Sequence, residues 1–279
     1  MDAIIDIGSN SVRLLLRGKK YINNTQLAEG LMNTHILNDN AMQRTKEAVL
    51  QFVEQAKKDG IENVYAFATE AVRSANNGKD FINLLKESNV NIELIPSYLE
   101  GQLGFNGAYV SGTPAILDVG GASSELTIGN EKGIQYSHSL PLGSVRLKDY
   151  APDKGSQLKY ARERVKEYGI IPSFDKLIAI GGSASQLCAV KLALDPYDPL
   201  VIHNQIMTYD ELNKVVDDIL AVKIEERQFI KGLHPKKILV APAGGIIILA
   251  IMEYLNINEL QISENDNLEG YAYYKKIKI

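Results

Sequence analysis

The chain has 279 residues, 45% of them hydrophobic and 23% charged, which is the balance of a soluble globular protein long enough for two domains. A formal net charge of −4 gives no electrostatic footprint for duplex nucleic acid or an anionic membrane. The single cysteine, Cys188, excludes an internal disulfide and suits a reducing compartment. The N-terminus has no basic leader and the apolar run Ile246 to Met252 is too short to span a bilayer, so the cytoplasm is the expected location.

Residues 3–8 and 12–17 read as two strands around a Gly-Ser-Asn turn, with a third strand expected over Tyr21 to Ala28. A helical period starts at Asp39 and closes near Gly60. Val64 to Ala68 is a strand that delivers Thr69-Glu70-Ala71-Val72-Arg73 at its end, where a helix begins, interrupted near Asn77-Gly78. Asn91 to Ile95 is a strand stopped by Pro96. The next helix carries Gly101, Gly104 and Gly107, each costing roughly 1 kcal/mol relative to alanine, so a close backbone neighbour is expected. Ser111-Gly112-Thr113-Pro114 is a linker. Beyond it the order repeats, with strands at 115–119, 124–128 and 135–140, then a mostly helical stretch from Val145 to Tyr168. Further strands are expected at Lys176 to Ile180, Ile238 to Ala241 and Leu260 to Ile262. Helices are expected at Ala184 to Leu194, Tyr209 to Val222, Ala243 to Leu255 and Asn267 to Lys276. The pattern predicts two α/β domains, residues 1–112 and 113–279, with a cleft between them and the terminal helix packing back on the first.

The two halves share a motif. Asp6-Ile7-Gly8-Ser9-Asn10-Ser11 aligns without a gap on Asp118-Val119-Gly120-Gly121-Ala122-Ser123, about 110 residues later. An apolar strand ending in a carboxylate and a glycine turn crowds backbone amides where an anion can sit. Gly181-Gly182-Ser183 is a third such turn. Asp118 and Glu125, separated by a hairpin, offer hard oxygen ligands of the kind magnesium takes. Ser97 and Glu100 have capping-box spacing, so Glu100 is either a helix cap or a carboxylate free for proton transfer. Arg73, just past a strand end, suits a phosphate fork, whereas Arg13, Arg146 and the lysine pairs read as solvated faces. The four histidines, His35, His138, His203 and His234, show no ligand spacing, and no zinc site is expected.

These motifs resemble the exopolyphosphatase and guanosine pentaphosphate phosphatase family. Asp6 to Ser11 is similar to its first phosphate loop, Ala68-Thr69-Glu70-Ala71-Val72-Arg73 to its second motif, Asp118 to Leu126 to its DxGGGSxEL, and Gly181-Gly182-Ser183 to its GGT turn. The resemblance implies two actin-like (ribonuclease H-like) ATPase-superfold domains and metal-dependent hydrolysis of a terminal phosphoanhydride in the interdomain cleft. It implies catalytic roles for Glu100, Asp118 and Glu125, and phosphate binding by Ser9, Asn10, Ser11, Arg73, Gly120, Gly121, Ala122, Ser123, Gly181, Gly182 and Ser183. The implied metal is Mg2+, with Mn2+ as a substitute, held by Asp118, Glu125 and Asp6. The implied substrates are short polyphosphate or a phosphorylated guanosine nucleotide, and a homodimer is an expected assembly. The chain departs from the family's SGxEEA, reading Pro96-Ser97-Tyr98-Leu99-Glu100-Gly101, and from its LREG, reading Asn267-Leu268-Glu269-Gly270. It reads as a short two-domain form without C-terminal helical domains. An ATP-dependent kinase or ATPase of the same superfold, and a catalytically weak polyphosphate or alarmone sensor, stay open as alternatives.

Overall fold

The computed structural model describes residues 1–279. In the first half, strands β1 (Ala3–Ile7), β2 (Val12–Leu16), β3 (Lys19–Asn23), β4 (Val64–Ala68) and β5 (Ile92–Leu94) form one sheet in the order β3-β2-β1-β4-β5. In the second, β6 (Ala115–Val119), β7 (Ser124–Asn130), β8 (Gly133–Leu140), β9 (Leu177–Ile180), β10 (Ile206–Thr208) and β11 (Glu259–Ile262) form another in the order β10-β11-β9-β6-β7-β8. Each sheet opens with an antiparallel three-strand meander and adds two parallel strands beside its first member, and the second sheet ends on β10, antiparallel to β11. The two halves thus repeat one topology, and the two motif copies occupy the same place in it.

The helices follow the chain as α1 (Leu31–Thr34), α2 (Asp39–Lys58), α3 (Glu70–Ser74), α4 (Gly78–Lys86), α5 (Ser97–Ala108), α6 (Ser144–Tyr150), α7 (Lys154–Arg164), α8 (Gly181–Lys191), α9 (Pro199–Ile202), α10 (Tyr209–Ala221), α11 (Val240–Leu255) and α12 (Asn267–Lys275). Helix α2 shows the local logic. The Asn38 side chain accepts from the amides of Asn40 and Ala41, and Ala41, Ala48, Val49, Phe52 and Ala56 bury one face on the first core.

Helices α5 and α12 trade places relative to the sequence. Leu99 and Leu103 of α5 join Leu268 and Tyr271 of α12 in a cluster with Ile4, Leu15 and Phe67 of the first sheet. Phe105 and Ala108 of α5 pack on Ile116, Ile178 and Ile180 of the second. Their close crossing answers for the glycines: a Cβ at Gly107 would sit 2.0 Å from the Asp266 carbonyl oxygen, and one at Gly270 would sit 1.8 Å from that of Leu103.

Three expected elements differ, and one strand was not expected. The strand expected over Tyr21 to Ala28 ends at Asn23, because the next residues wrap the first loop. There the amides of Thr25 and Gln26 donate to the Asn10 carbonyl at 3.1 and 2.9 Å, and that of Ala28 to Ser9 at 2.8 Å. Ile238 to Ala241 is not a strand. Pro242 sits in the first turn of α11, where its missing N–H costs nothing, and the apolar run before it feeds the helix. The stretch from Val145 to Tyr168 breaks at Pro152, and Asp153 caps α7 by accepting from the Ser156 amide at 2.8 Å. Strand β10 carries no recognisable signal in its three residues.

Candidate active site

The three glycine turns converge. The Gly8 amide donates to the Ser11 carbonyl and the Gly120 amide to that of Ser123, both at 3.0 Å, so the copies share one turn geometry. They also touch: a Cβ on Gly121 would lie 2.8 Å from that of Ser9 and 3.2 Å from the Asn10 nitrogen. The third turn joins through Ser183, whose hydroxyl donates to the Val119 carbonyl at 2.7 Å. Gly181 has φ 77° and lies against Asp118, where a Cβ would be 2.6 Å from Oδ1, so no other residue fits there. Asn10 leaves a buried side-chain oxygen without a partner beside these turns.

Strand register decides which acids meet. Asp118 is the direct cross-strand partner of Glu125, and Asp6 is that of Arg13. Arg13 donates through Nε to Asp6 Oδ2 at 3.0 Å, contacts it again through Nη2, and reaches Asp266 Oδ2 through Nη1 at 2.6 Å. Lys20 adds ion pairs to Asp266 at 3.1 Å and Glu269 at 2.8 Å. The expected trio of metal acids therefore does not gather: Asp6 lies on Arg13, while Asp118 and Glu125 face each other with no base between them. Asp118 Oδ2 accepts from Asn267 Nδ2 at 3.0 Å, and Glu125 Oε1 accepts from the Ser139 hydroxyl at 2.7 Å.

Burial, then the neighbouring Arg13 working against it and the acids Asp266 and Asp6 with it, leaves the Asp118 carboxyl at about 7. Burial and Asp118 push Glu125 up to about 8. The partly exposed Asp118 and the buried Glu125 are the carboxyls that could hold a hard divalent cation, in exchange for their protons. No cluster of three or more His, Cys, Asp or Glu side chains forms, so water and phosphate oxygens would complete the shell, as suits magnesium. The buried, unpartnered Oδ1 of Asp6 is a further oxygen beside the turns.

Glu100 is not a capping residue. Pro96 is the N-cap of α5 and no side chain caps it, so the Glu100 carboxylate is free. It is 7% exposed and accepts from Arg73 Nη2 at 3.1 Å. Burial and the charge of Glu125 raise its pKa well above the carboxylate range, against the pull of Arg73. Arg73 is pinned by the Ile95 carbonyl at 2.7 Å and by Glu70 at 2.7 Å.

The model of the Ppx/GppA phosphatase family matches residues 4–277. This chain belongs to that family. Among curated relatives, a bifunctional 3-dehydroquinate synthase/phosphatase of Fusobacterium nucleatum subsp. nucleatum is 30% identical over 306 residues, covering 96% of this chain and 45% of that protein. A guanosine-5'-triphosphate,3'-diphosphate pyrophosphatase of Aliivibrio fischeri (strain MJ11) is 28% identical over 302 residues, covering 98% and 59%. The chain thus spans about half the length of the curated relatives it matches. The crystal structure of an Aquifex aeolicus Ppx/GppA member is 26% identical with a TM-score of 0.77, covering 99% of this chain and 97% of that one. That of an exopolyphosphatase-like protein shares the fold at 24% identity and a TM-score of 0.90, covering 99% and 98%.

Against the Ppx/GppA motifs, Ser9 and Ser123 are buried at the meeting loops, Gly182 is exposed at the third, and Ala122 packs with Val145 in the first core. Two arginines read as solvated are not. Arg13, 14% exposed, is held in its ion pairs, and Arg146 of α6 reaches across to Glu70 at 3.2 Å. Lys237 donates to the Gly182 carbonyl at 3.2 Å, and burial and Arg13 lower its pKa to about 8. Arg13 had a signal in the duplication, since it aligns on Glu125, and Asn267 stands in the segment compared with LREG; Arg146, Asp266 and Lys237 had none. No helix is long and apolar enough to cross a membrane.

Proposed function

We propose that this chain is a magnesium-dependent phosphoanhydride hydrolase that releases terminal orthophosphate from short inorganic polyphosphate or guanosine pentaphosphate. The observation that carries the reading is the Asp118–Glu125 pair, with no basic side chain hydrogen-bonded to either acid, beside a Glu100 that caps no helix and under three converging amide-rich turns. Phosphoryl transfer needs an in-line nucleophile, donors for equatorial oxygens and cations to offset charge. The turn amides and the hydroxyls of Ser11 and Ser123 cradle the phosphate chain, and the Arg73 fork orients its end. Asp118 and Glu125 would hold magnesium, with manganese as a substitute, which would neutralise the two acids and the phosphate oxygens. Glu100 accepts the proton of the attacking water as the new P–O bond forms and the bridging P–O bond breaks, the shortened chain leaving with the electron pair. Its raised pKa makes the Glu100 carboxylate a stronger base towards the water proton than an ordinary carboxylate.

The test is orthophosphate release with magnesium from tripolyphosphate, long polyphosphate, guanosine pentaphosphate and ATP. Release from tripolyphosphate or the pentaphosphate is expected, falling by about 10²- to 10⁴-fold in Glu100→Gln with substrate binding retained. Turnover retained by that variant overturns the base assignment. ATP consumption that depends on an added acceptor identifies a kinase instead, and tight binding without release identifies a sensor.

A further inference from the structure

Glu70 joins two guanidinium groups from opposite halves of the molecule. Its Oε2 accepts from Arg73 Nη2 at 2.7 Å and its Oε1 from Arg146 Nη2 at 3.2 Å. A planar anion held between two guanidinium forks is the arrangement that paired arginines make with a phosphate. Arg146 is poised for more than this contact. Its side chain is 15% exposed, it also donates to the Ser74 hydroxyl at 3.0 Å, and its Nε is buried with no partner at all. A buried donor left unpaired is costly, so the position makes sense if another acceptor arrives. The placement is also right: the Arg146 amide donates to the Gly121 carbonyl at 3.3 Å, directly behind the second turn, and Arg73 touches Glu100.

We propose that Arg146 is a second phosphate-gripping arginine, supplied by the second half of the molecule, and that Glu70 occupies the Arg73–Arg146 pair as an internal stand-in for substrate phosphate. An incoming inorganic oligophosphate displaces the Glu70 carboxylate and takes both forks, tying the two halves together across the cleft. Competition from Glu70 sets the affinity for the polyanion. The identity of the anion rests on the hydrolase reading, but binding is measured without turnover.

The experiment is calorimetric titration of inorganic tripolyphosphate into the metal-free full chain, its Arg146→Gln, Arg146→Lys and Glu70→Gln variants, and the Glu70→Gln/Arg146→Gln double variant. Arg146→Gln should weaken binding about tenfold, the loss of one charged hydrogen-bonded contact. Arg146→Lys, which keeps charge but not the fork, should fall between, and guards against misfolding of the first variant. Glu70→Gln should bind several-fold tighter, and the double variant should lose that gain. Wild-type binding by Arg146→Gln, or weaker binding by Glu70→Gln, overturns the proposal. If this pattern holds while no orthophosphate is released with magnesium, the hydrolase reading fails and the arginine pair stands. If release occurs with Arg146→Gln binding unchanged, only the arginine proposal fails, and if the metal-free wild type does not bind tripolyphosphate, the arginine proposal fails while orthophosphate release with magnesium decides the hydrolase reading separately.

Discussion

Asp118 and Glu125 oppose each other directly in the β6–β7 ladder, at the two positions where the first hairpin holds Asp6 and Arg13. Directly opposed residues on one face of an antiparallel pair bring their Cβ atoms within about 5 Å, where like charges destabilise and opposite charges stabilise. One copy of the duplicated motif thus carries its own counter-charge and extends it to Asp266, 253 residues away. The other has no base across its strands, and burial leaves its two carboxyls at about 7 and about 8. A single residue difference between equivalent positions separates an ion pair from a pair of facing carboxyls.

Glu125→Gln removes the repulsion without changing the size of the side chain. Metal-free protein carrying it should melt about 2–4 °C higher for each kcal/mol of relieved strain, and the stabilisation that magnesium gives the wild type should vanish. Scanning calorimetry with chelator and with magnesium reads both effects. A lower melting temperature in chelator would show that the carboxylate contributes more through Ser139 than it costs beside Asp118.

The same acids set a pH dependence. In the folded chain Asp118 titrates at about 7 and Glu125 at about 8, far above the usual range of about 4 in the unfolded chain. Between those limits the native state binds more protons than the unfolded one, so metal-free stability should fall as pH rises from about 5 to 8. Asp266, which Arg13 and Lys20 hold below its ordinary value despite burial, acts in the opposite sense only at the acid end. Urea midpoints in chelator should therefore decline across this window, and saturating magnesium should flatten the slope. A midpoint that rises from pH 5 to 8 would contradict the buried-pair account.

Gly270→Ala tests the α5–α12 crossing. The added methyl would lie 1.8 Å from the Leu103 carbonyl oxygen, backbone that cannot swing aside. Overpacking of this kind costs about 1–3 kcal/mol, and forcing the helices apart moves Asp266 and Asn267 off Arg13 and Asp118. Both the urea midpoint and the magnesium affinity should drop. Loss of stability with unchanged magnesium affinity would show that Asn267 does not position Asp118.

What the sequence determined by itself is local. The duplication, the two β–turn–β units, the glycine turns and the Asp118–Glu125 hairpin depend on short spacing and alternation, which the chain displays residue by residue. The third strand and the start of α11 were misread where apolar runs of a few residues suit either state, and neighbouring loop carbonyls or a first-turn proline decided between them. The tertiary structure alone decided which charges meet. Arg13 and Arg146 read as surface residues because nothing near them in sequence offers a partner; Asp266 and Glu70 reach them only once α12 and α3 are packed. Glu100 likewise had the spacing of a helix cap, and only the observed start of α5 at Ser97, with Pro96 as its N-cap, released its carboxylate to Arg73. Packing brings these groups together and removes the water between them, and burial is what turns ordinary carboxylates into a site.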